Sequence, residues 1–134
     1  MVLVDTSVWS VALRRKPSNL GDRDQAHREA LRELVREGRV QMIGLVRQEL
    51  LSGIRDEPVF RKIWANLRAF DNPQLQAEDY EEAARMNNAC RAQGIAGSPV
   101  DFLICAVAYI RNWQIFTTDR DFSRYHKVLP LRLY

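Results

Sequence analysis

Val2-Leu3-Val4-Asp5-Thr6-Ser7-Val8-Trp9 opens the chain with three apolar residues, two of them β-branched, stopped by an acid. A run that is apolar at every position fits a strand buried on both faces, as strands of parallel sheets are. Thr6 to Leu13 then reads as a helix. Arg14-Arg15-Lys16-Pro17-Ser18-Asn19-Leu20-Gly21 ends it with a loop rich in breakers. The same alternation recurs. Ala26, Ala30, Leu31, Leu34 and Val35 fall at helical spacing, and Gly38 stops them. Val40 to Ile43 predicts a second strand. Val46, Leu50, Leu51 and Ile54 form one helical stripe, ending near Gly53. Phe60, Ile63, Trp64 and Leu67 form another. Tyr80, Ala83, Ala84 and Cys90 mark a further helix, closed by Gly94.

Ser98-Pro99-Val100-Asp101 is a helix start with a Ser cap, Pro in the first turn and an acid at the third position. Phe102 to Ile110 is apolar nearly all round, so that helix should be central. Gln114 to Thr117 predicts a strand, Asp119 to Tyr125 a short helix and Val128 to Leu133 a weak final strand. Strands alternating with helices give an α/β class: a three-layer α/β/α sandwich with a mostly parallel central sheet. No repeat, linker or boundary appears, so residues 1–134 are read as one domain.

The 134 residues suit one core, and 46% hydrophobic with 28% charged residues argues against disorder. The longest apolar run is far short of the ~20 residues of a membrane span. The first residues lack a basic region and a cleavage site, which predicts a non-exported, cytoplasmic protein. Cys90 and Cys105 form no cluster with His27 or His126. Zinc fingers, dithiol redox enzymes and disulfide scaffolds are therefore excluded. Cys105 is expected in the core and Cys90 as a reduced thiol. A net charge of +3 permits a polyanionic partner without requiring one.

Open parallel sheets bind ligands beyond the carboxyl ends of their strands. Asp5 follows the first strand, Glu49 lies one helical turn after the second, and Asp119 follows the strand from Gln114. Asp101 opens the buried helix. Each has a simpler reading: Asp5, Asp101 and Asp119 can serve helix N-termini, and Glu49 can be solvated. Together they point elsewhere. Two carboxylates about 4 Å apart repel by about 4 kcal/mol at an effective dielectric near 20. A cluster of four needs protons or a cation, and all-oxygen carboxylate sites suit Mg²⁺ or Mn²⁺. No P-loop, GxGxxG or GxSxG is present. An aspartyl-phosphate enzyme is disfavoured because Ser7 stands where its second Asp is needed.

Val4-Asp5-Thr6-Ser7-Val8-Trp9, Gln48-Glu49-Leu50-Leu51-Ser52-Gly53, Asp101-Phe102-Leu103-Ile104-Cys105-Ala106 and Phe116-Thr117-Thr118-Asp119-Arg120-Asp121-Phe122 resemble the PIN-domain ribonucleases, in particular the VapC-type toxins of toxin–antitoxin pairs. Each motif is short; their order and spacing across nearly the whole chain are specific. The family usually has Ala where Cys105 stands, a packing difference.

The resemblance implies a toxin that is a Mg²⁺-dependent endoribonuclease, with Mn²⁺ able to substitute. Asp5, Glu49, Asp101 and Asp119 match its catalytic and metal-binding acids. Thr6 and Thr117 match hydroxyls beside them, and Asp121 is a possible fifth acid or a simple first-turn acid. Metal-activated water would give 5′-phosphate and 3′-hydroxyl ends. His27, in a helix far from the motifs, and His126 are not placed to act as bases. Arg14, Arg15 and Lys16, then Arg47, Arg55 and Arg120, are candidates to hold flanking phosphates. The implied partners are RNA, a VapB-type antitoxin and a second copy, giving a homodimer and a heterotetramer or larger with antitoxin, with no membrane partner. The stripe Phe60, Ile63, Trp64, Leu67 is expected in the core, with a partner groove or dimer seam as alternatives. Two rival functions remain: a non-catalytic RNA-binding module of the same fold, and a flap-type DNA nuclease.

Overall fold

A computed structural model describes all residues, Met1–Tyr134. Strand β1 (Val2–Val4) is the middle of a three-stranded sheet, with β2 (Val40–Gln41) on one side and β3 (Gln114–Phe116) on the other. Both pairings are parallel, with Val2 opposite Val40 and Gln114, and Val4 opposite Phe116. All three residues of β1 are fully buried, which is what their unbroken apolar pattern demands. The chain leaves β1 toward β2 and later returns to the opposite edge for β3. The order therefore reverses at β1, and the crevice beyond its carboxyl end is the natural ligand position.

Seven helices flank the sheet: α1 (Thr6–Leu13), α2 (Asp22–Arg36), α3 (Gly44–Leu51), α4 (Glu57–Leu67), α5 (Ala77–Ala92), α6 (Pro99–Arg111) and α7 (Asp121–His126). Helix α1 packs on α2 and α3, and α3 on α4; α5 packs on α6, which lies against β1 and β3. Helix α6 buries every residue from Phe102 to Ala108, as its all-round apolarity requires. Asp79 on α5 is 2% exposed and accepts from Arg111 of α6 at 2.6 and 3.1 Å. Cys90 and Cys105 are both buried and free, so Cys90 too belongs to the core. No helix is long and apolar enough to cross a membrane.

Three expectations are corrected. The final strand shrinks to one parallel bridge, Ile115 to Leu133. Pro130 lacks an N–H and interrupts the segment before a ladder can form. The second strand stops at Gln41, because Ile43 already caps α3, its carbonyl accepting from Val46 and Arg47. The stripe on α4 divides. Ile63 and Leu67 are core, but Phe60 is only half-buried and Trp64 is exposed, under the Arg68 guanidinium 4.9 Å away.

Candidate active site

Asp5 leaves the end of β1 and is 5% exposed. It stands at the N-cap of α1 but its side chain caps nothing. Instead Asp5 Oδ2 accepts from Ser7 Oγ and Thr117 Oγ1, each at 2.8 Å. Backbone groups direct those hydroxyls. Thr118 N–H donates to Ser7 Oγ at 3.0 Å, and Asp119 N–H donates to Thr117 Oγ1 at 3.0 Å. A hydroxyl has a single proton. Each hydroxyl accepts one backbone N–H and gives its proton to Asp5, and the two hydroxyl oxygens lie 3.3 Å apart. The turn after β3 thus fixes the carboxylate after β1, and Asp5 N–H, donating to Phe116 O at 2.9 Å, ties the two strand ends together.

Asp101 sits in the first turn of α6. Its N–H donates to Ser98 Oγ at 3.1 Å, so Ser98 caps the helix as its sequence signature requires. The Asp101 carboxylate does not close the reciprocal bond of a capping box; Tyr125 Oη donates to its Oδ2 at 2.7 Å. Asp119, just before the Arg120 N-cap of α7, accepts from Asp121 N–H at 2.9 Å through its Oδ1. The carboxylates of Asp101, Asp119 and Asp121 come together, with oxygens within 4.8 Å of one another. Asp121 also stands 3.7 Å from Arg124, while neither Asp101 nor Asp119 has a salt-bridge partner.

Glu49 lies on α3 with its carboxylate at a long 3.5 Å from Thr6 Oγ1. Partial loss of water raises the Glu49 pKa, and the charges of Asp5 and Asp101 raise it further. Burial raises that of Asp101, and Asp5 and Asp119 add to it against the lowering effect of the Tyr125 hydrogen bond. Asp101 therefore feels both Asp5 and Asp119, and Glu49 feels Asp5 and Asp101. The tightest trio, however, includes Asp121 rather than Asp5 or Glu49. An all-carboxylate oxygen set with no countercharge on Asp101 or Asp119 fits a hard divalent cation.

A cleft of about 350 Å³ adjoins Ser7 and Thr118, lined also by Ser10, Arg15, Arg23, Asp24 and His27. Arg15 donates to Asp24 at 2.6 Å. Arg14, Lys16, Arg55 and Arg120 are exposed. Arg47 is engaged elsewhere: its guanidinium donates to the carbonyls of Leu67 and Phe70 and to Asn72 Oδ1, holding the chain after α4. His27, distant in sequence from every motif, lies in this cleft with its ring 6.0 Å from that of Phe116. Sequence reasoning missed Ser7 as a partner of Asp5, although it sits inside the quoted motif. Tyr125 enters the sequence reading only as the end of a short helix, and Arg23 and His27 gave no local signal.

The PIN domain family model matches residues 2–128. The chain belongs to the PIN-domain family. Nuclease activity is general to PIN domains. Among solved structures, this PIN domain is similar to FitAcB from Neisseria gonorrhoeae, at TM-score 0.76 and 19% identity over 100% of this chain and 96% of that one. It is similar to VapBC2 from Rickettsia felis bound to a DNA fragment from their promoter, at TM-score 0.74 and 17% identity over 100% and 98%. A toxin–antitoxin complex from Klebsiella pneumoniae matches at 0.67 and 15% over 92% and 91%. At these identities the structures share its fold. No curated protein sequence matches significantly.

Proposed function

We propose that this PIN domain is the toxin of a toxin–antitoxin pair and a Mg²⁺-dependent endoribonuclease. The observation that carries the reading is the cluster of Asp101, Asp119 and Asp121, with Asp5 held beside it by Thr117 where β1 and β3 end. The toxin assignment draws on the similar folds of VapBC2 from Rickettsia felis and a toxin–antitoxin complex from Klebsiella pneumoniae.

Asp5, Asp101, Asp119 and Glu49, with Asp121, would hold Mg²⁺ or Mn²⁺. A bound divalent ion would supply Lewis-acid activation of water and of the scissile phosphate. Ser7 and Thr117 hold Asp5 in one orientation, and Thr6 approaches Glu49. Arg15 and Arg23, in the cleft beside Ser7, meet flanking phosphates. The acids and the ion they would hold serve an attacking water rather than a ribose hydroxyl, and the products would carry 5′-phosphate and 3′-hydroxyl ends.

The partner is a VapB-type antitoxin, with a homodimer and a heterotetramer or larger as the assembled forms. An apolar groove of about 400 Å³ lined by Trp9, Leu13, Leu31, Val35 and Phe70, with Arg28, Arg32 and Arg36 along it, suits an amphipathic segment better than the divided stripe on α4 does.

RNA and single-stranded DNA are digested in parallel with Mg²⁺ and with EDTA, using the parent and Asp5→Asn. Cleavage of RNA alone, abolished by EDTA and by the substitution, is expected. Equal activity in parent and variant would remove the enzyme reading. RNA binding without cleavage would indicate a binding module, and cleavage of DNA a flap-type nuclease.

A further inference from the structure

Tyr125 is fully buried on α7, with ring centroids 5.0 Å from Phe102 and 5.3 Å from Phe122. This aromatic packing aims its hydroxyl at the first turn of α6, where it donates to Asp101 Oδ2. Gly97, just before α6, supplies the space. A Cβ there would lie 2.4 Å from Tyr125 Oη, 2.8 Å from Cζ and 2.9 Å from Phe102 Cε2. Gly97 does not have a positive φ, unlike Gly38, Gly53 and Gly94. Its need for no side chain is therefore one of space and not of backbone conformation.

We propose that Tyr125, admitted by Gly97, is a positioning residue for Asp101. Its hydroxyl holds Oδ2 and so sets the direction of the carboxylate that Asp101 brings to Asp119 and Asp121. The role rests on the metal-site reading above and adds a device outside the acidic motifs: α7 packing decides the rotamer of an acid on α6. A buried tyrosine hydroxyl also needs an acceptor for stability alone. The two roles separate in metal affinity, because an outer partner of a metal ligand characteristically changes affinity about 10–100-fold when removed.

Mn²⁺ binding to the full chain is measured by titration calorimetry for the parent, Tyr125→Phe, Gly97→Ala and Gly21→Ala, with circular dichroism as the check on folding. Tyr125→Phe keeps the ring and deletes the hydroxyl. It is expected to keep native helicity and bind Mn²⁺ about tenfold more weakly. Gly97→Ala should move the same way by displacing Tyr125. Gly21→Ala, with nothing within 4 Å of its Cβ, should match the parent. If Tyr125→Phe unfolds, Gly97→Ala decides. Affinity unchanged in a folded variant that loses only melting temperature would reduce Tyr125 to a packing residue and overturn the proposal. A parent that binds no Mn²⁺ overturns the metal site itself, and the positioning role with it.

Discussion

Thr117 Oγ1 donates to Asp5 Oδ2 at 2.8 Å, joining the exits of two adjacent parallel strands across 112 positions of sequence. Thr117 also accepts the Asp119 N–H, so one hydroxyl sets the direction of one acid and the backbone of another. Thr117→Val keeps the shape and removes both bonds. RNA cleavage by Thr117→Val should fall about 10–100-fold while the circular dichroism spectrum is retained. Ser7→Ala should act in the same direction, because it removes the other donor to the same oxygen. Full activity in the Thr117→Val, Ser7→Ala double variant would show that Asp5 needs neither.

Acidification should stabilise the metal-free protein. Glu49 and Asp101 have folded-state pKa values raised chiefly by burial, then by neighbouring carboxylates. The fold therefore binds protons that the unfolded chain releases, and stability rises as pH falls toward ordinary carboxylate values. Asp79 works oppositely: its hydrogen bonds to Arg111 lower its pKa, so its contribution persists until the pH drops below the ordinary value. The metal-free melting temperature should climb from about pH 7 to about pH 4.5 and then fall. Mn²⁺ should flatten the climb, and Asp101→Asn should shrink it. A melting temperature that falls steadily from pH 7 would mean that the acids do not strain the empty site.

The Asp79–Arg111 pair should be structural only. Arg111→Ala would leave a carboxylate that is 2% exposed without its cation. Breaking a buried pair on one side costs about 3–5 kcal/mol. Urea unfolding of Arg111→Ala should show a loss of that size, with cleavage per folded molecule unchanged. A loss below about 1 kcal/mol, the scale of a surface pair, would contradict the burial.

What was legible in the sequence was local. Val2-Leu3-Val4 announced a two-sided strand because every side chain had to be buried, and the Ser98-Pro99 start of α6 carried its own cap. Asp5, Asp101 and Asp119 could be placed because strand ends and helix starts have sequence signals. What was not legible depends on tertiary distance. Helical spacing put Trp64 with Ile63 and Leu67, but periodicity does not fix how wide the buried arc is, and Trp64 fell outside it. Nothing near Tyr125 or His27 in sequence reveals that the one meets Asp101 and Phe102 and the other Phe116. Pro130 was visible, but its effect on the last strand depended on how little chain remained to pair.

Arg47 and Arg23 show why nearness to a motif is a poor guide to phosphate binding, and they predict opposite phenotypes. Arg47 precedes Glu49 by two residues, yet its guanidinium is spent on the carbonyls of Leu67 and Phe70 at the end of α4. Charge-assisted hydrogen bonds of this kind contribute about 1.5–3 kcal/mol each. Arg47→Ala should lose stability on that scale and leave the salt dependence of RNA binding intact. Arg23 is remote in sequence but lines the cleft next to Ser7 and Thr118. Its loss should leave the melting temperature nearly unchanged and reduce the slope of log K against log salt by about 0.7 for single-stranded RNA. Binding is measured with the cleavage-deficient Asp5→Asn chain over a range of salt concentrations. An unchanged slope in Arg23→Ala would take the cleft out of the substrate path. A reduced slope in Arg47→Ala would mean that its guanidinium leaves the α4 carbonyls to meet RNA.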